Sequence, residues 1–101
     1  MATNKKSETY VIARGSASGV HAGLLVERKG QEVTLRNARR IWYWSGAASL
    51  SQLATTGTSR PSDCKFPAPM PTLTIKTDVC EIIECTPAAR KSIEGVAPWV
   101  K

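Results

Sequence analysis

Within the six residues from Arg39 to Trp44, two guanidinium groups stand beside three large aromatic rings: Arg39, Arg40, Trp42, Tyr43 and Trp44. Those side chains together suit a nucleotide. Arginine pairs with phosphate in a two-pronged hydrogen-bonded geometry, and indole and phenol rings stack on bases. Each stacked base is worth roughly 1–3 kcal/mol. A little downstream, Thr58, Ser59 and Arg60 follow Gly57 and add two hydroxyls, backbone amides and a further guanidinium on a loop, the groups from which phosphate sites are built. The candidate binding set is therefore Arg39, Arg40, Trp42, Tyr43, Trp44, Thr58, Ser59 and Arg60. A competing reading makes Trp42 and Trp44 core residues flanked by strand arginines, because aromatics are the largest contributors to a small core. The sequence leaves both open.

Groups that could run a reaction are sparse. His21 is the one histidine of the chain, and no nucleophile motif accompanies it. Cys64, Cys80 and Cys85 with His21 could in principle make a zinc site, but Cys80 and Cys85 fall on opposite parities of a predicted strand. Buried free thiols are the expectation. Asp78, Glu81 and Glu84 read as solvated strand-surface acids. The stretch Gly15-Ser16-Ala17-Ser18-Gly19 lacks the GK[ST] ending of a phosphate loop and reads as a turn. The expectation is a binding protein, not an enzyme, with no cofactor and no metal.

The elements that must position these residues are mostly strands. Thr9–Ala13 is rich in β-formers. Val20, Ala22, Leu24 and Val26 alternate with His21, Gly23, Leu25 and Glu27, so the two sets take opposite faces of one strand. Arg28-Lys29-Gly30-Gln31 is the turn of a hairpin whose second arm is Glu32–Arg36. A bend at Asn37-Ala38 then leads into a strand from Arg39 to Trp44. Leu50, Leu53 and Ala54 mark a short helix, ended by Gly57. Four prolines make 58–71 an irregular connection, with Phe66 and Met70 as apolar anchors. Thr72–Cys85 is β again, bent or folded into a hairpin at Thr77-Asp78. Thr86-Pro87 opens a second helix, a hydroxyl N-cap followed by proline at the first helical position. Ala89, Ile93 and Val96 form its buried stripe, and Trp99 docks on the core or on a neighbouring subunit. The fold class expected is α+β: a small, mainly antiparallel β domain, a hairpin plus further strands, with two short helices.

A chain of 101 residues builds one core. Residues 1–7 read as a polar tail and 8–101 as the single domain. A domain of this size is marginally stabilised by its own burial, which favours a homo-oligomer, a dimer or tetramer. No apolar run approaches the ~20 residues of a membrane span, and the start is polar with no secretory h-region. With an odd number of cysteines, reduced thiols in a cytosol are expected. Fourteen lysines and arginines against eight acids give a net charge of +6, which favours anionic partners.

The block Asn37-Ala38-Arg39-Arg40-Ile41-Trp42-Tyr43-Trp44, continuing through Gly46-Ala47-Ala48-Ser49-Leu50-Ser51 to Gly57-Thr58-Ser59, resembles a family of small proteins of tailed phages and prophages. The likeness extends to Tyr10-Val11-Ile12, Gly19-Val20, Cys64-Lys65-Phe66-Pro67 and Val79–Thr86. Small phage proteins of this kind include oligomeric sponges that sequester the cyclic dinucleotide signals of bacterial immunity, the anti-CBASS proteins. The resemblance implies immune evasion in the host cytoplasm by tight, non-hydrolytic binding of a cyclic dinucleotide such as cyclic GMP–AMP. A structural or protein-interaction role in the phage particle or in host takeover is the alternative, and nonspecific nucleic-acid binding a second.

Overall fold

The computed structural model describes residues 9–100; the polar tail expected over 1–7 lies outside them. In chain order the elements are β1 (Thr9–Gly15), β2 (Gly19–Lys29), β3 (Glu32–Arg40), α1 (Leu50–Thr56), β4 (Met70–Ile75), β5 (Val79–Glu84) and α2 (Pro87–Gly95). The strands form one antiparallel sheet in the order β4-β3-β2-β1-β5. This is the α+β class that the sequence predicts, with β2 and β3 as the expected hairpin around Gly30 and Gln31.

β4 and β5 do not pair, although three residues separate them. They are the two edges of the sheet. In a flat sheet four inter-strand spacings would hold those edges ~19 Å apart. The four Cα steps from Ile75 to Val79 reach at most ~15 Å. The sheet must therefore curl. A direct contact shows how far: Val79, paired with Gly15 at one end of β1, donates its amide to Gln31 O at 3.2 Å, beyond the far end of β2. A straight 11-residue β2 would keep those ends ~33 Å apart. Register shifts between Ala22 and Leu24 and between Leu25 and Glu27 let β2 bend. Gly23 sits at the first of them. A Cβ there would meet Arg36 O at 3.0 Å and Ala38 Cα at 3.1 Å, so only glycine lets β3 come this close.

The curl gives the domain two cores, one on each face of the sheet. Inside it, Val11, Ala13, Val33, Leu35, Ala38, Ile75 and Val79 pack together. On the outer face, Tyr10, Ile12, Ala22 and Ile41 meet Leu53, Ala54, Phe66, Ile93 and Val96 from the helices and the long connection. The alternation read in β2 thus has a meaning for each parity. Ala22 is buried against the helices with Val20 and Leu24 beside it, while His21, Gly23 and Leu25 face the other way.

The helices are capped as their sequences dictate. Ser49 Oγ accepts from Gln52 N, and the Gly57 amide closes α1 on Leu53 O. Thr86 Oγ1 accepts from Ala89 N at 3.0 Å and donates to Thr55 O at 2.6 Å, so one hydroxyl starts α2 and ties it to the end of α1.

Three local expectations are corrected. Asn37 does not break the strand: it adopts a left-handed φ of 55° within β3, beside the register shift, and the strand runs on to Arg40. Beyond Arg40 the expected strand through Trp44 is reduced to a lone bridge between Tyr43 and Lys65. Phe66 is the buried anchor of the long connection, whereas Met70 is exposed on edge strand β4.

Candidate functional site

The chain leaves β3 as an extended arm. The Ile41 amide bonds Val20 O at 2.9 Å, and Ile41 is buried in the helix-side core. Trp42 N and Tyr43 N both donate to Lys65 O, at 3.1 and 3.3 Å, and Lys65 N donates to Tyr43 O at 2.8 Å. These backbone bonds hold the arm to the long connection and leave its side chains outside. Trp42 is 61% exposed and Tyr43 52%. Lys65 lies alongside, its Nζ 5.9 Å from the Tyr43 ring centroid and 5.5 Å from that of Trp99, within cation–π range. Trp99 is itself held by its amide on Phe66 O. The result is a platform of Tyr43 and Trp99 with the Lys65 cation between them, and a separately exposed Trp42 ring. Trp44, by contrast, is half-buried against the helix-side core, and its indole N–H is taken by Ala47 O at 3.2 Å.

The guanidinium groups are not gathered at that platform. Arg39 is 3% exposed. Its Nε donates to Pro67 O at 3.0 Å, one terminal nitrogen to Ile93 O at 2.9 Å and the other to Phe66 O at 3.0 Å, with its Cζ 5.6 Å from the Phe66 ring. Ile93 lies in the last turn of α2, where a positive charge is favoured. Burial lowers the Arg39 pKa from its usual value. Arg39 is a brace between β3, the long connection and α2, and its donors point inward. Arg60 pairs with Asp63 at 2.9 Å on the surface. Thr58 Oγ1 donates to Ser45 O and accepts from Arg60 N, and Ser59 Oγ donates to Gly46 O. These hydroxyls staple two loops together. Both donate their protons within the fold.

Arg40 goes elsewhere again. Opposite His21 in the β2–β3 ladder, it lines an open cleft of about 460 Å³ on the concave side of the sheet. One wall is the β1–β2 turn with His21 and Arg40; the other is Leu73 to Ile75 of β4 and the link Lys76–Asp78. The walls are latched together by Asp78, whose carboxylate accepts from Ala17 N at 2.8 Å and Ser18 N at 2.7 Å. Ser16 N adds a bond to Asp78 O at 3.2 Å. Those amides hold the Asp78 pKa below the usual carboxylate value.

His21 is 5% exposed, and its Nδ1 has no hydrogen-bond partner among the described residues. Burial first and the Arg40 charge second push its pKa down to about 4, opposed by Asp78. The ring is therefore neutral at pH 7. In the sequence His21 is a strand histidine, and nothing local singles out Lys65 or Lys76. The signal for His21 was its parity, shared with the inward-facing Leu25. Lys65 and Lys76 carry none, since each reaches its site through a loop.

Among the described residues no group of three or more His, Cys, Asp or Glu side chains is placed to hold a metal ion, and the three cysteines are free thiols. No helix among them is long and apolar enough to cross a membrane. Compared with known proteins, the chain belongs to the family described as Domain of unknown function (DUF6948), whose model matches residues 8–93. No curated protein and no solved structure matches it.

Proposed function

We propose that this member of the DUF6948 family binds a nucleotide-type ligand without altering it, and that the ligand is the cyclic dinucleotide implied by its resemblance to the phage sponges. The observation that supports this is the display of Trp42 and Tyr43. Burying either ring would contribute about 1.5–3 kcal/mol, yet the arm that carries them is pinned by its backbone so that both stay outside. A rigid aromatic surface with a lysine among its rings takes a flat base and its nearby negative charge. Tyr43, Lys65 and Trp99 make that surface, and Trp42 offers a second exposed ring on the same arm. Arg40 remains available for phosphate; Arg39, Thr58 and Ser59 serve the fold. A homo-oligomer, with one platform for each base of a cyclic dinucleotide, completes the proposal.

The test is a panel of cyclic dinucleotides assayed by thermal shift, with the bound ligand then released by heating and chromatographed. Intact ligand and a raised melting temperature are expected. Trp42→Ala weakens binding about tenfold to a hundredfold. Cleaved ligand, or no shift with any member of the panel, overturns the proposal. Val100, next to Trp99 in sequence and 82% exposed, is a further apolar side chain left to solvent and favours protein interaction as a second reading. That reading predicts association with a partner protein and no response to nucleotides.

A further inference from the structure

The cleft on the concave side of the sheet is a built cavity whose polar groups the fold does not consume. The helix-side core is closed by α1 and α2, but the inner face is covered only where the sheet curls over itself. Between the β1–β2 turn and β4 that cover is incomplete. About 460 Å³ stays open there, enough for a phosphate and part of the group that carries it.

Three groups facing this space have chemistry to offer. Arg40 is an exposed guanidinium, and Lys76 an exposed ammonium on the β4–β5 link. His21 is a buried imidazole in the wall of the cleft, and its Nδ1 lacks a partner in the described structure, a state that costs free energy. Asp78 is the opposing charge. Its two short bonds from Ala17 N and Ser18 N solvate the carboxylate, and it acts as the latch of the cleft. Counting formal charges, two cations against one amide-bound carboxylate leave the lining positive.

We propose that this cleft is an anion subsite, in which Arg40 and Lys76 hold a phosphate group and the His21 ring supplies a hydrogen bond. The cleft is tied to the exposed Trp42 by the chain itself. Trp42 is two residues beyond Arg40, so their Cα atoms are at most ~7.6 Å apart. A ligand with a base on Trp42 can thus place its phosphate toward Arg40. That the anion is a phosphate of a nucleotide rests on the function proposed above; the existence of an anion site does not.

Because His21 is the one histidine of the chain, its ring resonances report on the cleft without ambiguity. The full chain is titrated with sodium pyrophosphate at constant ionic strength, followed by NMR of the His21 imidazole, and separately with guanosine or adenosine, followed by tryptophan fluorescence. Pyrophosphate is expected to shift the His21 signals along a saturable curve. Arg40→Gln and Lys76→Gln each weaken that binding about tenfold, as expected for loss of a charged partner. Lys76→Gln, on an exposed link, keeps the test valid if Arg40→Gln does not fold. A linear response equal to that of sodium chloride, or a curve unchanged in both variants, overturns the anion site. The nucleosides separate the two proposals. Tryptophan quenching by a nucleoside with no pyrophosphate binding supports the platform and refutes the cleft. Pyrophosphate binding with no nucleoside effect supports the cleft and counts against the nucleotide reading.

Discussion

Replacing Arg39 tests whether that guanidinium braces the fold or meets a ligand. Arg39→Met removes three donors from Phe66 O, Pro67 O and Ile93 O, now bonded at 2.9–3.0 Å in a site where Arg39 is 3% exposed. Each hydrogen bond from a charged group contributes ~1.5–3 kcal/mol, but the three are not additive. Together their loss is expected to cost about 3–5 kcal/mol. A domain of this length has about 5–15 kcal/mol of stability in total, so the variant keeps only part of it. With a urea dependence of roughly 2 kcal/mol per molar, the unfolding midpoint falls by about 2 M. Arg39→Lys is milder because the charge and part of the bonding remain, but it still costs stability, since one ammonium cannot reach both the long connection and the end of α2. Urea melts followed by circular dichroism measure both. A midpoint shift under about 0.5 M for Arg39→Met, together with lost ligand binding, would refute the bracing role and return Arg39 to the binding set.

Acidification tests His21. Its pKa is about 4 in the folded chain and ~6.5 when unfolded, so between those values only the unfolded chain takes up the proton. Stability is therefore full above pH ~6.5 and falls as the pH drops, by up to about 3 kcal/mol at pH 4. The part of this slope due to His21 vanishes in His21→Gln; urea midpoints that fall equally in both proteins across that window contradict the assignment. Asp78 acts lower, since its pKa is depressed by Ala17 N and Ser18 N: its contribution is present above the usual aspartate range and is lost on further acidification. Trp44→Ala lowers thermal stability by about 2–3 kcal/mol whereas Trp42→Ala changes it by less than about 0.5, because only the first indole packs on the core; equal melting temperatures for the two variants would be inconsistent with the arm described. Gly46→Ala costs about 2 kcal/mol or more in a denaturant melt, since φ is 86° and the new Cβ would lie 2.6 Å from both Arg60 N and Thr58 Oγ1. A neutral outcome there would mean the two loops are not stapled together.

Local chemistry was readable wherever it acts over a few residues. Strand alternation around Ala22, the turn at Gly30-Gln31, the Thr86 cap and the stop at Gly57 are set by neighbours in the chain, and the sequence alone determined them. It determined, too, that cations and aromatics crowd one stretch. What it could not determine is where each of those side chains goes. Arg39 and Arg40 are adjacent, so an extended chain sends them to opposite faces. Only the packing of α2 and Phe66 on one face, and the open curl on the other, makes the first a buried brace and the second a cleft residue. Likewise Thr77-Asp78 signals a bend in any setting. That the bend joins two opposite edges of the sheet, and so encloses His21 and Lys76 in one cleft, depends on contacts between residues far apart in sequence, whose energies no local pattern contains.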